Sequence, residues 1–225
     1  MNLILFGPPG AGKGTQGDNL SKDYNLIKIS TGDLLRNEIK KKNKLGIEIK
    51  SIIDKGKFVS DELINFLIEE NLKNKDHLNK LIFDGYPRNL NQAKKFDLLL
   101  KKYNQKISCV ISLNIEKNII IKRVTGRQIC SECGLIFNKY YNEATPSNHK
   151  CNPNFLVTRA DDNINTIESR HDTYIKETHP IKKHYINQNL LHEVDGSKKI
   201  DQIYEEIRNI IDSLETWLWL IYLYK

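Results

Sequence analysis

Gly7-Pro8-Pro9-Gly10-Ala11-Gly12-Lys13-Gly14-Thr15 reads G-x-x-x-x-G-K. At that spacing small residues let backbone N–H groups curl around phosphate oxygens, and the lysine ammonium reaches the outer ones. The loop stands where this chemistry needs it. It follows the apolar run Asn2–Phe6 and precedes a polar, helix-compatible stretch from Gln16 to Tyr24, so a helix N-terminus adds positive charge. After Lys13 comes Gly14, and the hydroxyl arrives one residue later at Thr15. A Mg²⁺ ion accompanying the phosphates is therefore expected to lean on phosphate and water oxygens. Asp84 ends the apolar run Leu81-Ile82-Phe83, where a carboxylate can hold a Mg²⁺ water shell. Gly85-Tyr86-Pro87-Arg88 follows, a stiff turn that presents a guanidinium.

Arginine use is selective. The chain has 35 Lys and Arg, of which only Arg36, Arg88, Arg123, Arg127, Arg159, Arg170 and Arg208 are arginine. A lysine-rich chain keeps arginine where a planar fork is needed for phosphate oxygens. Six of the seven fall in or near functional-looking segments, and Arg208 reads as ordinary surface. No Ser/His/Asp set stands out as a nucleophile system.

Cys130-Ser131-Glu132-Cys133-Gly134 is a C-x₂-C-G knuckle with Cys151 18 residues beyond Cys133, spacing suited to a tetrahedral ion such as Zn²⁺. His149 is one possible fourth ligand, in a His-x-Cys arrangement. A segment held by packing alone is the competing reading. Cys109 sits in an apolar strand and reads as structural.

These residues need a frame. Short apolar runs at 2–6, 27–30, 81–84, 107–113 and 190–194 read as strands, separated by helical stretches at 33–35, 37–80 with a break at Gly56, 91–103, 116–124, 164–185 and 200–214. Ser30 or Thr31 caps the helix through Asp33. Alternating strands and helices predict an α/β fold with a doubly wound, five-stranded parallel sheet, whose ligands bind beyond the strand C-termini. Residues 126–162, with three of four cysteines and two prolines, form an insert, and Gly126 is a candidate hinge. At 225 residues, 39% hydrophobic and 28% charged, the chain supports a packed core, not a disordered, collagen-like or disulfide-scaffold class. No secretory leader or bilayer-length apolar run is read, which predicts a cytoplasmic protein with reduced thiols. The net charge of +7 suits anionic partners without choosing among them. The apolar tail at 215–225 has no assigned role.

GPPGAGKGTQ (7–16), TGDLLR (31–36), GKFVSD (56–61), DGYPR (84–88), RVTGR (123–127) and RADD (159–162) stand in one order and spacing that resembles the adenylate kinases with a long, cysteine-bearing lid. The resemblance runs from Asn2 to about Leu214. It implies a P-loop nucleoside monophosphate kinase fold, ATP, AMP and ADP as partners, Mg²⁺ with ATP, structural Zn²⁺ in the lid, and a monomer with no nucleic-acid or membrane partner. It implies a core of 1–29, 60–125 and 163–214, an AMP-binding segment of 30–59, and a lid of 126–162. Gly10, Ala11, Gly12, Lys13, Gly14 and Thr15 would hold ATP phosphates. Arg123 and Arg127 would meet ATP, with Ile136, Phe137 and the Lys198 backbone at its adenine. Thr31, Arg36, Lys57, Phe58, Val59, Gly85, Tyr86, Pro87, Arg88 and Gln92 would form the AMP pocket, with Arg159 and Arg170 at the AMP phosphate and the transferring group. Lys13, Arg88, Arg123, Arg159 and Arg170 would carry catalysis. The family's fourth metal ligand falls at Asn154, a poor zinc donor, so His149 and Asn154 both stand. A kinase for another nucleoside monophosphate, or a nucleic-acid-binding zinc-knuckle protein, are the alternatives. Against the second, no basic stripe with interleaved aromatics is seen.

Overall fold

The computed structural model describes residues 1–54 and 59–223, without the side chains of Asp54 and of residues 215–223. Its centre is the sheet that the apolar runs predict. The strands are β1 (Leu3–Phe6), β2 (Ile27–Ser30), β3 (Leu81–Asp84), β4 (Cys109–Asn114) and β8 (Leu191–Asp195). They lie in the order β2-β3-β1-β4-β8, every pairing parallel. All four β1 residues are buried, as a strand covered on both faces requires.

Period-two alternation sorts the core into two layers. Ile4, Phe6, Ile29, Phe83 and Val110 face one side, packed by α2 (Thr31–Lys40), α3 (Lys44–Asp54), α4 (Asp61–Lys73) and α5 (Leu90–Lys102). Leu3, Leu5, Ile82, Ile111 and Leu113 face the other, against Leu20 of α1 (Lys13–Asp23) and Ile203, Ile207 and Ile211 of α9 (Ile200–Leu223). β1 lies between β3 and β4, so the connections diverge to either side of it and open a crevice beyond its C-terminal end.

The helix starts follow their caps. Ser30, rather than Thr31, caps α2, its Oγ accepting from the Asp33 N–H at 3.4 Å. Asn89 caps α5 through the Gln92 N–H at 2.8 Å. The Gly56 break falls among the residues the structure does not describe; α3 ends before it and α4 begins after it. α6 (Lys117–Thr125) leads into the insert. The insert is a small antiparallel sheet, β6 (Ile136–Asn138), β5 (Arg127–Cys130) and β7 (Leu156–Val157) in that order.

The expected continuous helix over 164–185 is interrupted. α7 (Ile164–Thr173) passes into a π-helical turn, Tyr174–Thr178, and α8 (Ile181–Ile186) starts after Pro180. Pro180 has no N–H to donate, and its ring cannot sit against the carbonyl four residues back. The last helix runs past the expected Leu214 to Leu223. No helix among the described residues is long and apolar enough to cross a membrane.

Candidate active site

The loop after β1 turns on glycine. Gly10 has φ +83° and Gly12 φ +99°, a region that side chains enter at a cost. A Cβ on Gly10 would also lie 2.6 Å from Val124 Cγ2, so α6 packs directly on the loop backbone. Gly12 is the N-cap of α1, whose axis starts at Lys13 and aims its free N–H groups into the loop. Lys13 Nζ donates to the carbonyls of Gly7 at 2.7 Å and Pro8 at 3.0 Å. Burial pushes its pKa down to about 8, against the pull of Asp84 and with the help of Arg88, Arg170 and Arg127. Asp84 lies next to Gly14, whose added Cβ would sit 3.9 Å from the Asp84 carboxylate.

The sheet ends, the lid and α7 enclose one cavity of about 920 Å³. Its walls carry Gly10 to Thr15, Arg36, Asp84, Gly85, Pro87, Arg88, Arg123, Arg127, Ile136, Phe137, Arg159, Arg170 and Lys198. The structure thus brings together the six arginines that the sequence analysis set apart, and leaves Arg208 on α9 outside them. Arg88 is desolvated and faces Arg170, and together these bring its pKa down to about 10 in spite of Asp84. Arg159 is held down to about 10 by burial and by Arg127 and Arg36. Burial also lowers the Arg123 pKa. The cleft presses positive charges against one another, which an anion relieves.

Five of the six guanidinium groups have a hydrogen-bonded anchor. Arg88 Nε donates to Gly85 O at 2.8 Å and its Nη2 to Thr31 Oγ1 at 3.0 Å, while that hydroxyl donates to Gly85 O at 3.0 Å. Arg123 Nη1 donates to Gly196 O at 2.7 Å, and its Nη2 reaches Lys198 O at 3.4 Å. The Lys198 ammonium turns away to Glu206 at 2.7 Å, which leaves its backbone toward the cleft. Arg127 forms a two-point pair with Asp162, its Nε at 2.8 Å, and Arg170 meets Asp161 at 2.5 Å. Arg36 pairs with Asp33. The two aspartates of the RADD segment thus serve as holders for two other arginines.

Other predicted residues lie behind the wall. Thr31, Tyr86, Val59 and Gln92 are buried. Tyr86 Oη donates to Asn65 Oδ1 at 2.6 Å. Gln92 Oε1 accepts from the Arg88 N–H at 2.7 Å and its Nε2 donates to Asp61 at 2.6 Å. Lys57 and Phe58 lie outside the described residues.

Sequence reasoning passed over several cavity residues: Lys28, Asp33, Asn138, Tyr140, Tyr141, Tyr174 and Thr178. The Arg123 guanidinium lies 5.4 Å from the Tyr141 ring centre, a cation–π contact. Gly126, the candidate hinge, runs under Tyr140: a Cβ there would lie 2.5 Å from that ring. Tyr140 and Tyr141 come from an irregular stretch whose pattern marks no face, so only the proximity of two aromatics to RVTGR could have drawn attention to them.

In the lid, Cys130, Cys133, Cys151 and His149 bring one ligand atom each within 4.8 Å of all the others. His149 is buried, and its Nε2 has no hydrogen-bond partner among the described residues. Burial raises the Cys130 thiol pKa, but hydrogen bonds from the Cys133 backbone, His149 and the Glu132 backbone outweigh it and favour the thiolate. An orphaned buried nitrogen beside three thiols is a donor set that could hold zinc. Asn154 is exposed, and its N–H is used in the turn at Asn152, at 2.9 Å. Cys109 is buried apart from the lid, its thiol pushed up to about 12 by desolvation.

The sequence is similar to those of known proteins. The family model for adenylate kinase matches residues 5–190. An adenylate kinase of Pelagibacter ubique is 44% identical over 211 residues, 94% of this chain and 99% of that one. One from Enterococcus faecalis is 40% identical over 214 residues, again 94% and 99%. One from Bacillus pumilus is 38% identical over 216 residues, 95% and 99%. The family model over residues 5–190, and relatives that each cover 94–95% of the chain, place the chain in the adenylate kinase family.

Proposed function

We propose that this protein catalyses reversible transfer of the terminal phosphoryl group of Mg·ATP to AMP, giving two ADP. The observation that carries the reading is the cleft itself: Lys13 and six arginines around one cavity, three of those arginines with pKa values lowered chiefly by burial. Phosphoryl transfer asks a protein to align two nucleotides and neutralise charge, and needs no protein nucleophile.

Gly10 to Thr15 and Lys13 hold the ATP phosphates. Arg123 and Arg127 meet them from α6 and the lid, with Ile136, Phe137 and the Lys198 backbone around the adenine. Thr31, Arg36, Lys57, Phe58, Val59, Gly85 to Arg88 and Gln92 form the AMP side. Gln92 is supported by its fixed amide: Asp61 and the Arg88 N–H settle which end donates and which accepts, as an adenine edge requires. Arg88, Arg159 and Arg170 approach the group in transit. Asp84, beside Gly14 at the loop, would hold the water shell of the Mg²⁺ that accompanies ATP.

The core of 1–29, 60–125 and 163–214 stays fixed while 30–59 and 126–162 close, keeping water from the phosphoryl group. A coupled assay should show ADP formation that requires both ATP and AMP. Faster use of UMP, CMP or GMP would move the assignment to another monophosphate kinase. Salt-sensitive oligonucleotide binding without AMP-dependent turnover would overturn it. A linked bisubstrate analogue should contract the small-angle scattering profile, and an unchanged profile refutes closure.

Cys130, Cys133, Cys151 and His149 would hold a structural zinc ion, which would cross-link the lid and take no part in the chemistry. Purified protein should carry one zinc per chain by elemental analysis. His149→Ala should weaken retention by about 10²-fold or more against a chelator, and Asn154→Ala should leave it unchanged. Equal retention by both variants sinks the assignment of His149.

A further inference from the structure

The π-helical turn has a consequence for the cleft. The His179 N–H reaches Tyr174 O, five residues back, at 2.8 Å, so one turn absorbs an extra residue before Pro180. Eight positions separate Arg170 from Thr178. At about 100° per residue, an uninterrupted α-helix would set them about 80° apart around its axis; one residue absorbed cuts that to about 20°. Both residues accordingly line the cavity, though they sit more than two turns apart.

Thr178 uses this placement. It is buried, and its Oγ1 donates to Arg88 O at 2.7 Å across ninety positions of sequence. The Arg88 N–H is held by Gln92 at 2.7 Å, so both ends of the Arg88 backbone are fixed by side chains from different helical segments. The Arg88 side chain is fixed in turn by Gly85 and Thr31. Arg88 and Arg170 are like charges turned toward the same cavity, and Coulomb repulsion drives them apart. The Thr178 hydrogen bond directly ties the helical segment that carries Arg170 to the turn that carries Arg88.

We propose that Thr178 is a positioning residue for phosphoryl transfer: its hydroxyl, delivered by the wide helical turn, fixes the Arg88 backbone and thereby the separation of Arg88 from Arg170. The inference rests on the reading of the cleft as a phosphoryl-transfer site. Thr178 touches no reacting atom in this scheme; it acts through Arg88. Alignment of this kind is steeply sensitive to distance, and a displacement near 1 Å can cost as much as about 10²-fold in rate.

Thr178→Val removes the hydroxyl at nearly constant volume, and Thr178→Ser keeps it. Steady-state kinetics should show Thr178→Val with kcat lowered about 10-fold and KM for AMP raised about 5-fold, while KM for ATP changes less than about 2-fold. Thr178→Ser should restore all three to within about 2-fold of the parent. A role in packing alone predicts a lower Tm with parental kcat and KM in the folded protein; that result overturns the proposal. So does a Thr178→Ser variant as impaired as Thr178→Val, or an equal rise in both KM values. If Thr178→Val is not folded at the assay temperature, Thr178→Ala assayed at 15 °C makes the same comparison, with AMP-selective impairment expected and parental kinetics contrary. Parent protein without AMP-dependent ADP formation would bring down the reading of the site; active parent with an unaffected Thr178→Val brings down this inference alone.

Discussion

Lys13→Ala should lower kcat by about 10²- to 10³-fold, the scale on which one preorganised charge donor acts in a transition state. The ammonium stands at the start of α1, held by Gly7 and Pro8 carbonyls, so it is aimed before any nucleotide arrives. Those acceptors also cost it water, and burial brings its pKa to about 8. A pH dependence follows. In free enzyme the charge is present below about 8 and is lost as pH rises through that value, so kcat/KM for ATP should decline there. Bound phosphates raise the same pKa, so kcat should stay level across the window. The stability effect has a definite sign. The folded pKa lies below the ordinary 10.5, so between about 8 and 10.5 the unfolded chain binds the extra proton and this group's contribution to stability rises with pH. Below about 8 the cost of burying the charge is complete. Rate measurements from pH 6.5 to 9.5 check the first part. A flat kcat/KM, or a Lys13→Ala enzyme within about 3-fold of the parent, would remove Lys13 from the mechanism.

Much of this was legible in the residues because it rests on short-range rules. The strands of the parallel sheet are continuous apolar runs, and Leu3–Phe6 and Leu81–Asp84 come out with little adjustment because both faces must be apolar. The phosphate loop is legible for the same kind of reason: a backbone path with φ near +83° and +99° admits glycine and little else. The arginines were legible through contrast with a lysine-rich background.

What escaped depends on tertiary geometry. Spacing alone left His149 and Asn154 both open as a fourth ligand, because side-chain direction in an irregular lid follows no period; the gathering of His149 with the three cysteines appears only in the fold. Asp161 and Asp162 read as part of a motif, but their work emerges only in the fold, where Asp162 meets Arg127 within the lid and Asp161 meets Arg170 of α7. The helix over 164–185 was overextended because its apolar pattern continues through Pro180, and only the missing N–H shows that a turn must widen there. Thr178 gave no signal at all: its value is a bond to a carbonyl ninety positions away.

Arg88 shows how function and stability pull apart in such a cleft. Replacing it with lysine keeps a charge but discards the fork that engages Gly85 and Thr31 and that, in the proposed reaction, would also meet a phosphate oxygen. Arg88→Lys should lower kcat by about 10²-fold, and Arg88→Met by about 10³-fold or more, near the lower bound for an arginine serving a transferring phosphoryl group. Folding should respond in the opposite sense. Arg88 is desolvated and repelled by Arg170, and both effects disfavour its charged form. Methionine fills similar space without that charge, and Gly85 O keeps a donor in the Thr31 hydroxyl. Calorimetry of the nucleotide-free proteins should therefore give Arg88→Met a Tm equal to or above the parent's. Addition of a bisubstrate analogue should reverse the order, because the anion that relieves the repulsion in the parent finds no guanidinium in the variant. An Arg88→Met protein that melts several degrees lower without ligand would make Arg88 a structural residue. One that melts higher and turns over at the parental rate would place the phosphoryl group elsewhere in the cleft. The strain between Arg88 and Arg170 is thus part of the site's readiness: two cations are kept close by the fold so that a phosphate entering between them gains what their separation would otherwise have gained.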